Sequence, residues 1–387
     1  MNIKINLRHL LILTLFEVIL ALTAFAGGYL FAHDWAPVDD RFPILNEAYT
    51  ILQDNALLDL PPDSQLEYGM IRGMLQVYNE PYTTFLEPPQ HELQSDELAG
   101  KYGGIGARLQ VDDQARVIML PLPDSPAQKA GLLDGDALLG VDQLVITADT
   151  AADDIEAALR GPTGSTVMIT FGRPPAYQPQ EVSLTRAEFP LPSVVYNLAL
   201  QDSRVGIIKV NIIASTTPTE IQAAVESLQA QGATYYILDL RDNVGGLVDA
   251  GVDSARLFLE SGTIIQSQYR DKPVTTYNTD HPGPWADLPL VVLVNHGTAS
   301  AAEILAGGLQ ANHRAELIGQ TTYGKDTIQL VFDLQDHSSL HVTAAHWWIP
   351  DLGRFLDGQG LEPDVLLSDE EMQSNAPILA AIQQLLP

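Results

Sequence analysis

LVVLVNHGTASAAEILAGGLQANHRAELIGQTTYGKDTIQ, residues 290–329, is the stretch from which the fold is read. The apolar run Leu290–Val294 predicts a buried strand. Asn295-His296-Gly297 marks a turn, small residues fill Thr298–Ala302, and helical spacing begins at Glu303. Ser300 therefore falls where a strand gives way to a helix. Further on, Gly324-Lys325 follows a short apolar strand and a Thr-rich turn, and Thr327–Phe332 has strand character.

The flanking sequence repeats this alternation. Val205–Val210 predicts a strand, Thr219–Gln231 a helix, Tyr235–Leu240 a strand, Leu247–Leu259 a helix and Thr263–Gln266 a strand. Strands alternating with helices imply an α/β core for 189–387. Between Leu240 and Leu247, Arg241-Asp242-Asn243-Val244-Gly245-Gly246 joins strand to helix. Adjacent glycines there allow backbone N–H groups to face an anion or a carbonyl oxygen.

Residues 96–188 carry short strands and glycine turns, a small β-rich module. Within them SPAQKAGLLDGDALLGVD, from Ser125 to Asp142, resembles the strand–helix–turn signature of PDZ domains. That resemblance assigns the Gly-rich segment Tyr102-Gly103-Gly104-Ile105-Gly106 to the loop that captures a chain-terminal carboxylate. Arg160 closes a helix at 153–159, where a cation suits the helix dipole. Residues 37–95 show helical spacing over Pro43–Gln53 and Gln65–Tyr78, then a loop, Asn79–Leu86, with aromatic anchors.

At the start, Lys4 and Arg8 precede the apolar run Leu10–Phe31. Its length suits a single transmembrane helix. The basic flank predicts a cytoplasmic N-terminus and an exported remainder. Ala24-Phe25-Ala26 resembles a signal-peptidase site, but apolar character continues past it, which favours an uncleaved signal anchor over 1–36. Acids outnumber bases 49 to 20, for a formal net charge of −29. Such a surface repels phosphates and argues against nucleic-acid partners. No cysteine is present, so disulfides, thiolate metal sites and cysteine nucleophiles are excluded.

Three chemistries compete for residues 290–329. Gly319–Lys325 fits GxxxxGK, but a phosphate loop needs Ser or Thr next and then a helix; Asp326 and a strand follow instead. A Ser-His-Asp triad would draw on His296 or His313 and Asp239 or Asp242, yet no GxSxG elbow surrounds Ser300. The third is a serine nucleophile with a lysine base. Burial lowers a lysine's pKa and frees its lone pair. Gln329, four residues after Lys325 on an extended segment, faces the same way and could hold the amine. The amides of Ala301 and of Gly245-Gly246 could form an oxyanion hole.

The third chemistry agrees with a wider likeness. NHGTASAAEILAGGLQANHRAELIGQTTYGKDTIQ resembles the C-terminal processing peptidases, a family of Ser/Lys proteases. LDLRDNVGGLVDAGVDSARLFLESG, PDLGRFLDGQGLEPDV, EYGMIRGML and EPYTTFL resemble further signatures of that family, so the likeness covers nearly all the chain after residue 36. It implies Ser300 as nucleophile, Lys325 as general base, Gln329 as the residue positioning the lysine, and the Gly246 and Ala301 amides as oxyanion donors, with Gly245 the nearby alternative. It also implies an α/β (mixed α+β) protease core of crotonase-like type at 189–387, a PDZ-like domain at 96–188 and a helical segment at 37–95.

The expected function is a membrane-anchored, extracytoplasmic serine endopeptidase. It would act near the C-termini of exported proteins, without metal or cofactor. Its partners would be tailed protein substrates and the membrane; an adaptor or a second copy is left open. The alternative is an inactive PDZ-based scaffold of the cell envelope. Two departures stand out: Val244 where the family commonly has proline, and Asp326 where it commonly has glycine. A carboxylate beside Lys325 would favour its charged form.

Overall fold

The computed structural model describes residues 42–147, 149–352 and 358–386. These divide after Met70 into two compact units. The first holds the helix Pro43–Asn55, opened by Pro43 at its first position, and the beginning of the helix Asp63–Tyr78. The Tyr49 hydroxyl donates to Asp63 at 3.2 Å within it.

The second unit contains the protease-like core. A six-stranded sheet runs in the order 194–198, 205–210, 235–239, 290–294, 316–319, 365–366. Its first pair is antiparallel and the others are parallel. Leu290–Val294 lies in its interior, buried at all five positions. Alternation along this strand sends side chains both ways, the pattern of a sheet covered on both faces. Val291 and Leu293 meet Ile237, Ile318, Ala381 and Ile382, the last two from the C-terminal helix Ala376–Leu385. Val292 and Val294 join the larger core with Leu238, Ile304, Leu305 and Trp347.

That larger core has a second wall, an antiparallel sheet of 84–86, 339–348, 262–269 and 275–279, with 327–333 also paired to 339–348. The sequence reading did not anticipate the strand Ser339–Trp348 or the helix Pro88–Leu98. The first of these strands has Trp347 fully buried, with polar residues between, so its apolar signal is diluted. The second opens at Pro88-Pro89 and has no buried residue to reveal a face.

The PDZ-like module has its own core, including Met119, Leu132, Leu138, Ile155, Val167 and Ile169. Its sheet runs 107–111, 117–121, 136–141, 166–172, 179–185. Buried Asp136 ties the module together: its carboxylate accepts from Arg173 Nε at 2.9 Å and Nη2 at 2.7 Å, and from the Leu133 amide at 2.9 Å. The Ser125 side chain caps the short helix Pro126–Lys129.

One part of the expected fold class is corrected. Among the described residues no helix is long and apolar enough to cross a membrane. The 16-residue helix Asp63–Tyr78 spans only about 24 Å against about 30 Å of hydrocarbon. It also carries Asp63, Glu67 and Arg72. The single transmembrane helix is therefore no part of the fold described, and the run that suggested it, Leu10–Phe31, lies outside the described residues.

Leu238 is fully buried in the central sheet, whereas Leu200 is 99% exposed. We expect Leu238→Ala to cost about 2–5 kcal/mol and Leu200→Ala about 0.5 kcal/mol or less, both read from urea unfolding midpoints.

Candidate active site

Two strand-to-helix turns meet at the C-terminal ends of neighbouring parallel strands. The first, 240–247, follows Tyr235–Asp239; the second, 295–300, follows Leu290–Val294. Asn295 joins them: its Oδ1 accepts from the Asp242 amide at 2.9 Å and its Nδ2 donates to Asp242 Oδ1 at 2.7 Å. The Thr298 hydroxyl donates to the Leu240 carbonyl at 2.8 Å, and the Ala299 amide to the Asn243 carbonyl at 2.9 Å. Asn243 is buried; its Nδ2 donates to Val210 O at 2.8 Å and its Oδ1 accepts from the Gly245 amide at 2.9 Å.

The chain then turns sharply at Ser300, with φ 54° and ψ −122°. That is a sparsely populated region for a residue with a Cβ, costing about 1–3 kcal/mol. The helix Ala301–Ala311 starts directly behind it and is almost wholly buried. The close approach of the two turns explains the glycine pair. A Cβ at Gly245 would lie 2.8 Å from Ser300 Cβ, and one at Gly246 would lie 2.1 Å from the Ile213 carbonyl oxygen. Gly246 also has φ 143°, in the region that favours glycine. With the Gly245 amide engaged by Asn243, the amides of Gly246 and Ala301 remain without a protein acceptor among the described residues. Val244, in the place of a proline, points outward at 69% exposure and leaves the glycine geometry intact.

Lys325 arrives from the other direction, on the turn after Glu316–Gly319. Gly324 has φ +88°, and a Cβ there would meet Gly360 N at 2.6 Å. The segment 358–361 backs this turn: Gly358 N donates to Gly324 O at 3.1 Å, and Leu361 N to Thr322 Oγ1 at 2.7 Å. The lysine amine donates to Gln329 Oε1 at 2.7 Å and lies 4.8 Å from the centre of the Tyr82 ring. Burial pushes its pKa below the ordinary lysine value, with the charge of Glu80 acting the other way. The feared neighbour, Asp326, faces elsewhere: its Oδ1 is 3.6 Å from His346 Nδ1.

One buried side chain joins the serine turn to the lysine turn. Glu303 Oε2 accepts from the amides of Ser300 at 2.8 Å and Lys325 at 3.0 Å. Its Oε1 accepts from the Gly324 amide at 2.7 Å and the Thr322 hydroxyl at 2.5 Å. Burial raises its pKa, opposed by these four donors.

Ser300, Lys325, Gln329, Gly245 and Gly246 line one cleft of about 660 Å³. No hydrogen bond joins Ser300 Oγ to Lys325 Nζ among the described residues; the amine is turned to Gln329. His296 and His313, weighed for a triad, do not line the cleft; His341 does. His341 Nε2 is 3.0 Å from Ser339 Oγ, and burial lowers its pKa. Sequence reasoning missed His341, Asn243 and Glu303. Glu303 alone carried a signal: an acid opening an otherwise apolar helix three residues after the serine.

In the PDZ-like module, the segment Tyr102–Gly106 is only partly a loop. Lys101–Gly104 is a strand paired with Ala187–Pro190, and Gly103–Gly106 are buried. Tyr102 packs on Phe189 with ring centres 5.6 Å apart, and the Arg160 guanidinium lies 5.1 Å from the Tyr102 ring centre. Among the described residues the following strand, Ala107–Val111, is an edge strand paired only with Val117–Pro121.

A core of this topology, with a serine at a strained strand–helix turn and a half-buried lysine in the same cleft, suits a serine-type peptidase. The sequence matches the profile of Peptidase family S41 over residues 204–367 and that of the PDZ domain over 117–173. It is 38% identical over 306 residues to the carboxyl-terminal-processing protease of Picosynechococcus sp., covering 78% of this chain and 73% of that protein. It is 32% identical over 328 residues to the carboxy-terminal processing protease CtpA of Bacillus subtilis, covering 84% and 69%. Among solved structures it resembles the photosystem II D1 C-terminal processing protease at 31% identity, with 83% and 86% coverage and a TM-score of 0.46. The chain belongs to peptidase family S41, among the carboxyl-terminal-processing proteases, and is a serine-type peptidase rather than an inactive scaffold.

Glu303→Gln keeps the side-chain volume but replaces one acceptor oxygen with an amide that faces N–H donors. A charge-assisted hydrogen bond is worth about 1.5–3 kcal/mol, so we expect kcat to fall at least about tenfold. Circular dichroism should show the fold retained.

Proposed function

We propose that the chain hydrolyses peptide bonds near the C-termini of its protein substrates with Ser300 as nucleophile and Lys325 as general base. The observation that carries this reading is the half-buried Lys325 amine, held at 2.7 Å by Gln329 Oε1 in the cleft that Ser300 lines. A lysine serves as a base only when its surroundings disfavour the ammonium, and burial does so here.

In the proposed cycle Lys325 Nζ takes the proton of Ser300 Oγ as the oxygen attacks the scissile carbonyl carbon. This needs the amine to swing from Gln329 toward Ser300. The oxyanion is stabilised by the Gly246 and Ala301 amides, whose N–H groups are otherwise without protein acceptors among the described residues. Lys325 returns its proton to the leaving amine, and water then releases the acyl group by the same steps in reverse.

The edge strand Ala107–Val111 supports a role for the PDZ-like module in pairing with an extended substrate tail. We also propose an extracytoplasmic location, supported by Lys4 and Arg8 ahead of the apolar run Leu10–Phe31. Cell fractionation with a reporter fused after residue 387 tests it; a cytoplasmic reporter overturns it.

Ser300→Ala and Lys325→Ala should each abolish cleavage of an unstructured tailed substrate by the folded protein; turnover by either overturns the assignment. Because burial lowers the Lys325 pKa, the neutral amine should accumulate as pH rises. We therefore expect kcat/KM to climb through a pKa below the ordinary lysine value of roughly 10.4. A flat profile from mildly acidic to alkaline pH argues against a lysine base.

A further inference from the structure

The base of the proposed dyad is held from a part of the chain far from it in sequence. The loop 79–83 follows the helix Asp63–Tyr78 and leads into the short strand Thr84–Leu86. That strand pairs with Ser339–Trp348, Thr84 lying opposite His341. Glu80 folds the loop: its carboxylate accepts from the Tyr82 amide at 3.3 Å, and from the Thr83 amide and hydroxyl at 2.6 Å each. The Thr83 hydroxyl also accepts from the Thr343 amide at 3.2 Å. The loop is thereby fixed to the sheet that carries Gln329.

Tyr82 sits at the apex and makes two contacts with the base assembly. Its ring centre is 4.8 Å from Lys325 Nζ. Its backbone carbonyl accepts from Gln329 Nε2. The second contact fixes the orientation of the glutamine amide: with Nε2 committed to the carbonyl, Oε1 must face the lysine. The ring meanwhile occupies space that water would otherwise fill.

We propose that Tyr82 is a positioning residue for Lys325, its ring covering the amine and its carbonyl orienting the glutamine that holds it. This rests on the reading of Lys325 as the general base. The titratable and charged groups around the pair are Glu80 in the loop, Tyr323 and Asp326 beside the lysine turn, His341 on the facing strand, and Glu303 beneath the Lys325 amide. The Tyr82 phenol itself is pushed up to about 12, first by its hydrogen bond with Tyr323, and is not a proton donor or acceptor in the working range.

The ring has two opposed effects on the lysine. Its face attracts the ammonium, whose nitrogen lies 4.8 Å from the ring centre. Its bulk removes water, and burial is the largest influence on this lysine, acting to lower its pKa. Removing the ring should therefore raise the lysine pKa, so that activity requires a higher pH.

The test is the pH profile of kcat and KM for the full chain on an unstructured tailed peptide, with Tyr82→Ala, Tyr82→Leu and Tyr82→Phe. For Tyr82→Ala we expect kcat to fall about 10–100-fold, with KM within about twofold and the acid limb moved to higher pH. Tyr82→Leu keeps apolar bulk without a ring and serves if the alanine variant does not fold; it should lose kcat in the same direction. Tyr82→Phe keeps the ring and should restore kcat to within about twofold, with the parent profile. Unchanged kcat in the alanine and leucine variants overturns the proposal. So does a loss with an unmoved acid limb, or an equal loss in Tyr82→Phe. Lys325→Ala is run alongside. If it is inactive while Tyr82 variants are normal, only the positioning role falls; if it turns over, the lysine base itself falls.

Discussion

Glu303 is the constraint on which the site depends. Ser300 and Lys325 come from turns separated by a whole helix and a strand, and no hydrogen bond passes between their side chains. What fixes their backbones relative to one another is a single carboxylate receiving the amides of Ser300, Gly324 and Lys325 and the hydroxyl of Thr322. Burying an unpaired carboxylate would cost many kcal/mol. Here burial raises the acid's pKa, yet four converging donors supply nearly all the acceptor capacity the group has. An acid in an almost wholly buried helix is tolerated because it replaces a solvent shell with backbone amides of the two turns it must hold together.

The same economy of space governs the serine turn. Ser300 is held at positive φ by neighbours that leave no alternative: Gly245 packs against its Cβ, Ala299 donates to Asn243, and the buried helix begins at the next residue. The glycine pair is a consequence of that crowding. Gly246 must approach the Ile213 carbonyl more closely than any Cβ allows, and its amide has no protein acceptor among the described residues. Strain at the serine and close backbone contact at the glycines are two sides of one packing arrangement.

The alternation of strands and helices was legible because it rests on burial. Leu290–Val294 and Val205–Val210 were bounded to the residue, since both are strands with apolar runs ending at polar turns. Helix ends were less legible: the helix expected to begin at Glu303 begins at Ala301, because Ala301 and Ala302 have no periodic signature of their own. The strand Ser339–Trp348 escaped notice because it is amphipathic at an irregular register, with a bulge opposite Ile328/Gln329. The roles proposed for Ser300 and Lys325 rest on family likeness more than on their spacing. Asn243 and Glu303 bind backbone groups of other segments, and Tyr82 meets the Gln329 side chain across 247 positions. No local pattern encodes such contacts, so they needed the fold to become visible.

Asp326 shows how far local sequence misleads on electrostatics. Its position next to Lys325 suggested a carboxylate stabilising the ammonium. In a strand-like segment, adjacent side chains diverge, and Asp326 turns toward His346. The carboxylate that acts on the lysine is Glu80, some 245 positions earlier in the chain. Glu80 is itself engaged by Tyr82 and Thr83, so much of its charge is spent on the loop. At the Lys325 amine, burial outweighs the opposing charge of Glu80. Local burial dominates, because most acids lie in solvent where a Debye length of about 8 Å screens them, whereas the amine lies under a ring. The packing around Lys325 thus disfavours its ammonium even in a strongly acidic protein.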